Sequence, residues 1–150
     1  MRLEELIDPD LVFADLPCLD QATVLRTLAE RLAATGRFSD PDELYEKLWE
    51  REQLGSTGVG DGVAVPHCKM AEIDRVVVGM AVLRQGVDFR SVDQQPVRLI
   101  FLVISPEDQP SEHLKCLAAI SKWVKADHHL EDILTVEDRE SIYALLREEG

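Results

Sequence analysis

The chain has 150 residues, of which 45% are hydrophobic and 30% are charged, so it is long enough to form one domain with a buried core. Its 29 acidic residues outnumber its 16 basic residues, which gives a formal net charge of -13. This charge repels a phosphate backbone and disfavours general nucleic-acid binding. It suits a basic protein partner, although acidity that serves only solubility fits the sequence equally well.

The cysteines and the N-terminus indicate a cytoplasmic protein. The three cysteines, Cys18, Cys68 and Cys116, are scattered and form no CxxC pair. Such a set is typical of reduced intracellular thiols rather than of a disulfide framework. The first residues are acidic and lack the apolar core of a signal peptide. No apolar run approaches the length of a membrane span, so we expect no direct insertion into a membrane.

Two amphipathic helices are predicted in the first third of the chain. Asp20 is the predicted N-cap of the first helix, and Gly36 stands where a glycine commonly ends one. The second helix is predicted to begin with Asp40 as its cap and Pro41 at the first helical position. Its apolar face continues toward Arg51.

A glycine-rich segment follows over residues 54–62, in which four of nine residues are glycine. This composition predicts irregular backbone that can approach a ligand closely. Residues 63–65 are predicted to form a short buried strand, which Pro66 ends because proline has no N–H to donate.

The second half of the chain predicts strands and then helices. Strands are expected over residues 75–83 and 97–104, with a short extra strand near Phe89, and their continuous apolar runs indicate burial on both faces. The predicted helices are a long one from Ser111, a short one over residues 130–134 and a last one capped by Thr135. Helices on both sides of a buried sheet predict one α/β domain over residues 1–150.

His67 is the strongest candidate for chemistry, because it follows a buried strand, a proline and the glycine-rich segment. Open α/β sheets present ligand-binding groups at strand ends, and Pro66 restricts the backbone just before the ring. An imidazole accepts a phosphoryl group well, since one nitrogen can attack while a hydrogen bond orients the other. For a lone histidine, a structural role at a strand end is the more common alternative.

The residues around His67 form a recognisable motif. The positions that carry it are Glu52, Val59, Gly60, Val63, Ala64, Val65, Pro66, His67 and Cys68. They fill every fixed place of a pattern that resembles the active-site signature of enzyme IIA proteins of the fructose/mannitol class, in the bacterial phosphoenolpyruvate-dependent phosphotransferase system. In that family the histidine of the Pro-His pair is phosphorylated on Nε2, so the resemblance implies that His67 is the acceptor. Cys68 is a less usual occupant than glycine and is interpreted as structural.

Arg51 and His113 are the other two predicted catalytic residues, and the resemblance supports both. Arg51 would neutralise charge on the transferring phosphoryl group. The alternative from spacing alone is a surface arginine paired to Glu50 or Glu52. His113 lies in the first turn of the long helix, where anions are favoured, and would orient the phosphoryl group. The alternative for His113 is exposure to solvent.

Weaker predictions concern the remaining polar residues. Ser56 and Thr57 offer hydroxyl and N–H groups that could bind phosphate oxygens, although such loops are usually only turns. His128 and His129 are interpreted as surface residues near a helix end. No cofactor is expected, because the histidines and cysteines fit no common zinc spacing.

The resemblance covers nearly the whole chain and implies a mixed central β-sheet flanked by helices on both faces. It implies an HPr-type histidine phosphocarrier as donor, and an enzyme IIB or a regulatory target protein as acceptor. Two uses compete, sugar uptake and regulation in the nitrogen branch, and we lean slightly to regulation because no transporter domain is fused. The rival interpretations are an interaction module of the same fold that is not phosphorylated, and a metal-dependent hydrolase built on His67, His113 and acidic residues.

Overall fold

The computed structural model describes residues 2–126 and 129–149. Its helices are α1 (Leu3–Leu6), α2 (Gln21–Ala34), α3 (Pro41–Leu54), α4 (Pro110–Lys125), α5 (His129–Leu134) and α6 (Arg139–Glu149). Its strands are β1 (Ile7–Phe13), β2 (Gly58–Gly60), β3 (Val63–Ala64), β4 (His67–Met70), β5 (Val77–Val87) and β6 (Val97–Pro106). Within the described ranges, none of the helices combines the length and the apolar character needed to span a membrane.

The strands form one six-stranded sheet with β5 and β6 at its centre. The order is β1-β5-β6-β3-β2, and β4 also pairs with β6. The pair β5–β6 is antiparallel, whereas β1 runs parallel to β5. β3 and β4 pair in parallel with successive parts of β6. The sheet is therefore mixed, as predicted.

Both faces of the sheet are covered, which confirms the predicted α/β architecture. One face packs against α2 and α3, and the other packs against α1, α4, α5 and α6. Side chains of β6 alternate between the faces: Ile100, Leu102 and Ile104 contact the first layer, and Leu99, Phe101 and Val103 contact the second. Because successive strand residues point to opposite faces, a strand buried on both sides reads as a continuous apolar run.

The predicted starts of α2 and α3 are confirmed by their caps. The Asp20 carboxylate accepts a hydrogen bond from the N–H of Thr23 at 2.8 Å, and Asp40 accepts one from the N–H of Asp42 at 2.9 Å. Such caps satisfy N–H groups that the first helical turn leaves unpaired. Gly36 follows α2 with a φ of 84°, the left-handed conformation that glycine adopts without strain.

The predicted strand does end before Pro66, at Ala64, but the chain then steps along β6 and pairs again as β4, which was not predicted. Two predicted details are wrong. No strand forms near Phe89, whose side chain is instead buried in the β5–β6 connection. The last helix begins at Arg139. The hydroxyl of Thr135 donates to the carbonyl of Asp132 at 2.6 Å and so closes the end of α5.

Helix α1 and strands β1, β2 and β4 were not predicted from the sequence. Pro9 and its two aspartate neighbours interrupt the apolar pattern of β1, and the pairing with β5 shifts register between Ile7 and Val12. β1 lies at the edge of the sheet, where a proline is tolerated because one side of the strand needs no donors.

Candidate functional site

His67 is the first residue of β4 and lies at the edge of the sheet between the two helical layers. Its Cα partner in β6 is Val103, whose N–H donates to the carbonyl of Pro66 at 3.0 Å. The last turn of α3 and the first turn of α4 both bring a side chain to the ring. The step from β3 to β4 therefore presents His67 to both helices.

Two hydrogen bonds determine the tautomer of the His67 ring. Nδ1 lies 2.8 Å from the carbonyl oxygen of Val65, which can only accept, so Nδ1 carries the proton. Nε2 keeps its lone pair and accepts a bond from Nε of Arg51 at 3.3 Å. Burial lowers the pKa of His67; the bond to Val65 opposes this change and the charge of Arg51 adds to it. The ring is therefore neutral near pH 7, with Nε2 as its nucleophilic atom.

Arg51 is held in place by the end of its own helix. A terminal guanidinium nitrogen donates to the carbonyl of Gly55 at 2.9 Å, and the unpaired carbonyls of a helix C-terminus favour a cation there. Among residues 2–126 and 129–149, neither Glu50 nor Glu52 forms an ion pair with it. The alternative of a surface-paired arginine is therefore wrong.

His113 packs beside the His67 ring. The two ring centroids are 5.3 Å apart, at an interplanar angle of 52°. His113 is 7% exposed, so the alternative of a solvent-exposed residue is wrong. Its Nδ1 is hydrogen-bonded to the hydroxyl of Ser105, at the end of β6. Burial lowers the pKa of His113, and the nearby His67 and Lys69 lower it further.

The predicted phosphate-binding residues are already engaged within the protein. The Ser56 hydroxyl donates to the carbonyl of Phe89 and accepts from the N–H of Gly58 at 2.9 Å. Thr57 is 4% exposed, and both its hydroxyl and its N–H donate to the Glu52 carboxylate. A phosphate-binding role for Ser56 and Thr57 stays a prediction.

A cleft of about 590 Å³ opens beside His67 and His113. The charged residues that line this cationic cleft are Lys47, Arg51, Lys69, Glu50 and Glu107. Three cations against two carboxylates give it a positive balance, in a chain whose formal net charge is -13. An anionic group that approaches His67 therefore meets a local charge opposite to that of the whole protein.

A second cleft, of about 330 Å³, also reaches His67 and Arg51. It lies between the glycine-rich segment and α4. Its aliphatic lining consists of Val59, Val65, Leu117, Ile120 and Val124. An approaching protein could therefore contact apolar surface directly beside the reactive ring.

Cys68 follows His67 and is half-buried. Burial raises the pKa of its thiol to about 12, against a weak opposing effect of Lys47. The side chain packs against the core beneath α2 and α3. These observations support the interpretation of Cys68 as a structural residue.

Ser105 was not among the predicted site residues, and Glu52 was named only as a place in the motif and as a possible partner of Arg51. Ser105 interrupts the apolar run of β6 just before a proline, which is the signal that could have revealed it.

His129 is half-buried rather than at the surface, with its ring centroid 4.7 Å from that of Trp123. His128 lies outside the described residues. In the part of the chain that the structure describes, no three histidine, cysteine or carboxylate groups are arranged to hold a metal ion.

Comparisons with known proteins identify the family of this chain. The model of the family described as "Phosphoenolpyruvate-dependent sugar phosphotransferase system, EIIA 2" matches residues 5–149. A nitrogen regulatory protein of Bradyrhizobium diazoefficiens is 33% identical over 148 residues, which cover 97% of this chain and 95% of that protein.

Solved structures share the fold. The crystal structure of the nitrogen regulatory protein IIA-Ntr from Neisseria meningitidis is 28% identical, with a TM-score of 0.87, and the match covers 96% of this chain and 98% of that one. The mannitol enzyme IIA of Escherichia coli, solved in complex with phosphorylated mannitol enzyme IIB, has a TM-score of 0.77 at 18% identity, over 95% and 97% of the two chains. This chain therefore belongs to the EIIA 2 family of the phosphoenolpyruvate-dependent sugar phosphotransferase system, a family of phosphoryl carriers that includes nitrogen regulatory proteins.

Proposed function

We propose that Nε2 of His67 accepts a phosphoryl group from an HPr-type phosphocarrier and passes it to a second protein. The observation that carries this proposal is the position of Nε2, an unprotonated nitrogen 3.3 Å from the Arg51 guanidinium. The ring is neutral because burial lowers the pKa of His67, and the carbonyl of Val65 holds the single remaining proton on Nδ1. A lone pair next to a fixed cation suits attack on phosphorus, where negative charge must be stabilised.

The transfer is a displacement at phosphorus. A bond forms between Nε2 of His67 and phosphorus while the nitrogen–phosphorus bond in the donor breaks, and the donor imidazole leaves with the bonding electron pair. Nδ1 of His67 keeps its proton and its bond to Val65. Arg51 then donates to phosphoryl oxygens in place of the ring nitrogen, and the neighbouring His113 orients the phosphoryl group. Catalysis comes from positioning and charge, so the reaction requires no cofactor.

The second step reverses the first, with an enzyme IIB or a regulatory target as acceptor. The carrier unit is one domain over residues 1–150, since the two core clusters lie on opposite faces of one sheet. The three cysteines are free, which suits transfer between proteins in the cytoplasm.

Regulation in the nitrogen branch is the better supported of the two uses. The relative at 33% identity and the structure with a TM-score of 0.87 are both nitrogen regulatory proteins. Neighbouring genes distinguish the uses, because a locus encoding an alternative sigma factor fits regulation, whereas genes for enzymes IIB and IIC fit uptake of fructose or mannitol.

The deciding experiment is phosphorylation followed by intact mass. The protein is mixed with phosphoenolpyruvate, enzyme I and the HPr-type carrier, beside His67→Ala and the matched control His129→Ala. We expect an acid-labile phosphoryl adduct on the wild type and on His129→Ala, and none on His67→Ala. An adduct that survives in His67→Ala would move the acceptor to His113. No adduct with the organism's own donor proteins would leave the unphosphorylated interaction module as the better interpretation.

A further inference from the structure

Glu52 is a buried carboxylate that the transfer mechanism does not use. It follows Arg51 in the last turn of α3 and is 7% exposed. Three donors converge on it: the side-chain amide of Gln21 at 3.0 Å, the N–H of Thr57 at 3.2 Å and the hydroxyl of Thr57. An ionised carboxylate accepts all three bonds. Glu52 thus joins the end of α3 to the start of α2 and to the glycine-rich segment.

The hydrogen bonds continue from Glu52 to the His67 ring. The carbonyl of Thr57 accepts the N–H of Val65 at 2.9 Å. The carbonyl of Val65 accepts the proton on Nδ1 of His67, at 2.8 Å. Glu52 therefore connects through Thr57 and Val65 to the carbonyl that determines the tautomer of the ring.

The cost of burying this carboxylate argues against a purely structural role. Burial raises the pKa of Glu52 in spite of its bonds to Thr57 and Gln21 and the charge of Arg51. The charged form is thus less favourable in the folded protein than in water. Taking a charge out of water costs free energy that a neutral group would not incur, so burial by itself gives no reason for a carboxylate at this place.

We propose that Glu52 is a positioning residue that holds the His67 ring in the Nδ1-protonated tautomer through Thr57 and Val65. Without the carboxylate, Thr57 loses the bond from its backbone N–H and the bond from its side-chain hydroxyl, and the Val65 carbonyl is free to turn away from Nδ1. The proton can then occupy Nε2, where it blocks the lone pair. The effect on transfer rests on the proposed function of His67, whereas the tautomer can be measured without any phosphorylation.

The test compares Glu52→Gln with Glu46→Gln, a matched loss of charge at an exposed residue of the same helix. The tautomer of His67 is measured by NMR with ¹⁵N-labelled histidine, and the phosphotransfer rate is measured from the phosphorylated donor. We expect Glu52→Gln to show a population protonated on Nε2 and a transfer rate at least about tenfold lower, as misplacement of a reacting group produces. Glu46→Gln should keep the wild-type tautomer and rate.

Thr57 variants separate positioning from stability. Thr57→Val removes the hydroxyl bond to Glu52 but keeps the N–H bond, and we expect a smaller tautomer shift in the same direction. Thr57→Ser retains a hydroxyl, so we expect it to show the wild-type tautomer of His67. Melting temperatures identify any variant that does not fold. If Glu52→Gln does not fold, the inference is tested by comparing the His67 tautomer in Thr57→Val with that in Thr57→Ser.

If the folded Glu52→Gln variant shows the wild-type tautomer of His67, the inference is overturned. If Glu52→Gln does not fold, the inference is overturned when Thr57→Val and Thr57→Ser show the same tautomer populations of His67. Failure of the proposed function has a different signature. In that case the wild type takes up no phosphoryl group, while the tautomer shift in Glu52→Gln is still present.

Discussion

The C-terminal end of α3 and the N-terminal end of α4 meet at His67 with opposite helix polarity. α3 contributes Arg51, a permanent cation placed among the carbonyls of its last turn. α4 contributes His113, a ring whose lowered pKa keeps it neutral and whose neighbouring N–H groups also disfavour a positive charge. The two helical layers thus place different groups beside the proposed acceptor His67. One layer supplies a fixed positive charge and the other supplies an uncharged ring.

Removal of the fixed charge is expected to have the largest effect. Arg51→Gln should slow phosphotransfer by about 10²- to 10³-fold, because a preorganised donor to the developing charge is lost. Arg51→Lys should recover only part of the rate, since an ammonium group lacks the planar fork of the guanidinium. Single-turnover transfer from the phosphorylated donor measures both, with exposed Arg139→Gln as control. A wild-type rate in Arg51→Gln would show that the cation plays no part in the transfer.

Loss of the His113 ring should slow phosphotransfer less than loss of the Arg51 charge. We expect His113→Ala to slow transfer by about tenfold to hundredfold, because the role proposed for this ring is to orient the phosphoryl group rather than to neutralise it. His113→Gln, which keeps a polar side chain in the same turn, should lose less. The assay is the one used for Arg51, and a loss as large as that of Arg51→Gln would contradict the contrast between the two helix ends.

The smallest expected effect is on stability at acid pH. The pKa values of His67 and His113 both lie below the ordinary 6.5, so the unfolded chain binds protons first as the pH falls. The free energy of unfolding should therefore decrease below about pH 6.5, through the window down to the lowered pKa values, and be unaffected by these groups above it. Urea unfolding of the wild type and of the His67→Gln/His113→Gln double variant measures this, and parallel pH profiles would contradict it.

Local signals made much of the fold predictable. Asp20 and Asp40 cap helices through bonds to residues two or three positions away, so their patterns are visible in short windows. β1 and β4 were missed because their pairing partners are distant, as with Val12 opposite Met80 and His67 opposite Val103. Strand formation of this kind depends on tertiary context more than on local preference.

The candidate site was predicted through the motif rather than through its contacts. His67 was a candidate from its place in the sequence, and the family resemblance supported it together with Arg51 and His113. The structure brings these three residues together. The contact of Gln21 with Glu52 spans 31 positions, and no spacing rule links an amide at one helix start to a carboxylate at the end of the next. Such a contact becomes visible only when the two helices are packed.

The environment of Cys68 has a consequence for how long a phosphoryl group on the adjacent His67 would survive. With a thiol pKa of about 12, roughly one molecule in 10⁵ carries the thiolate at neutral pH. A neighbouring thiolate would be a rival nucleophile and a target for oxidants, and the protonated thiol is much poorer as either. Burial of Cys68 therefore weakens a competing reaction next to a phosphoryl group on His67.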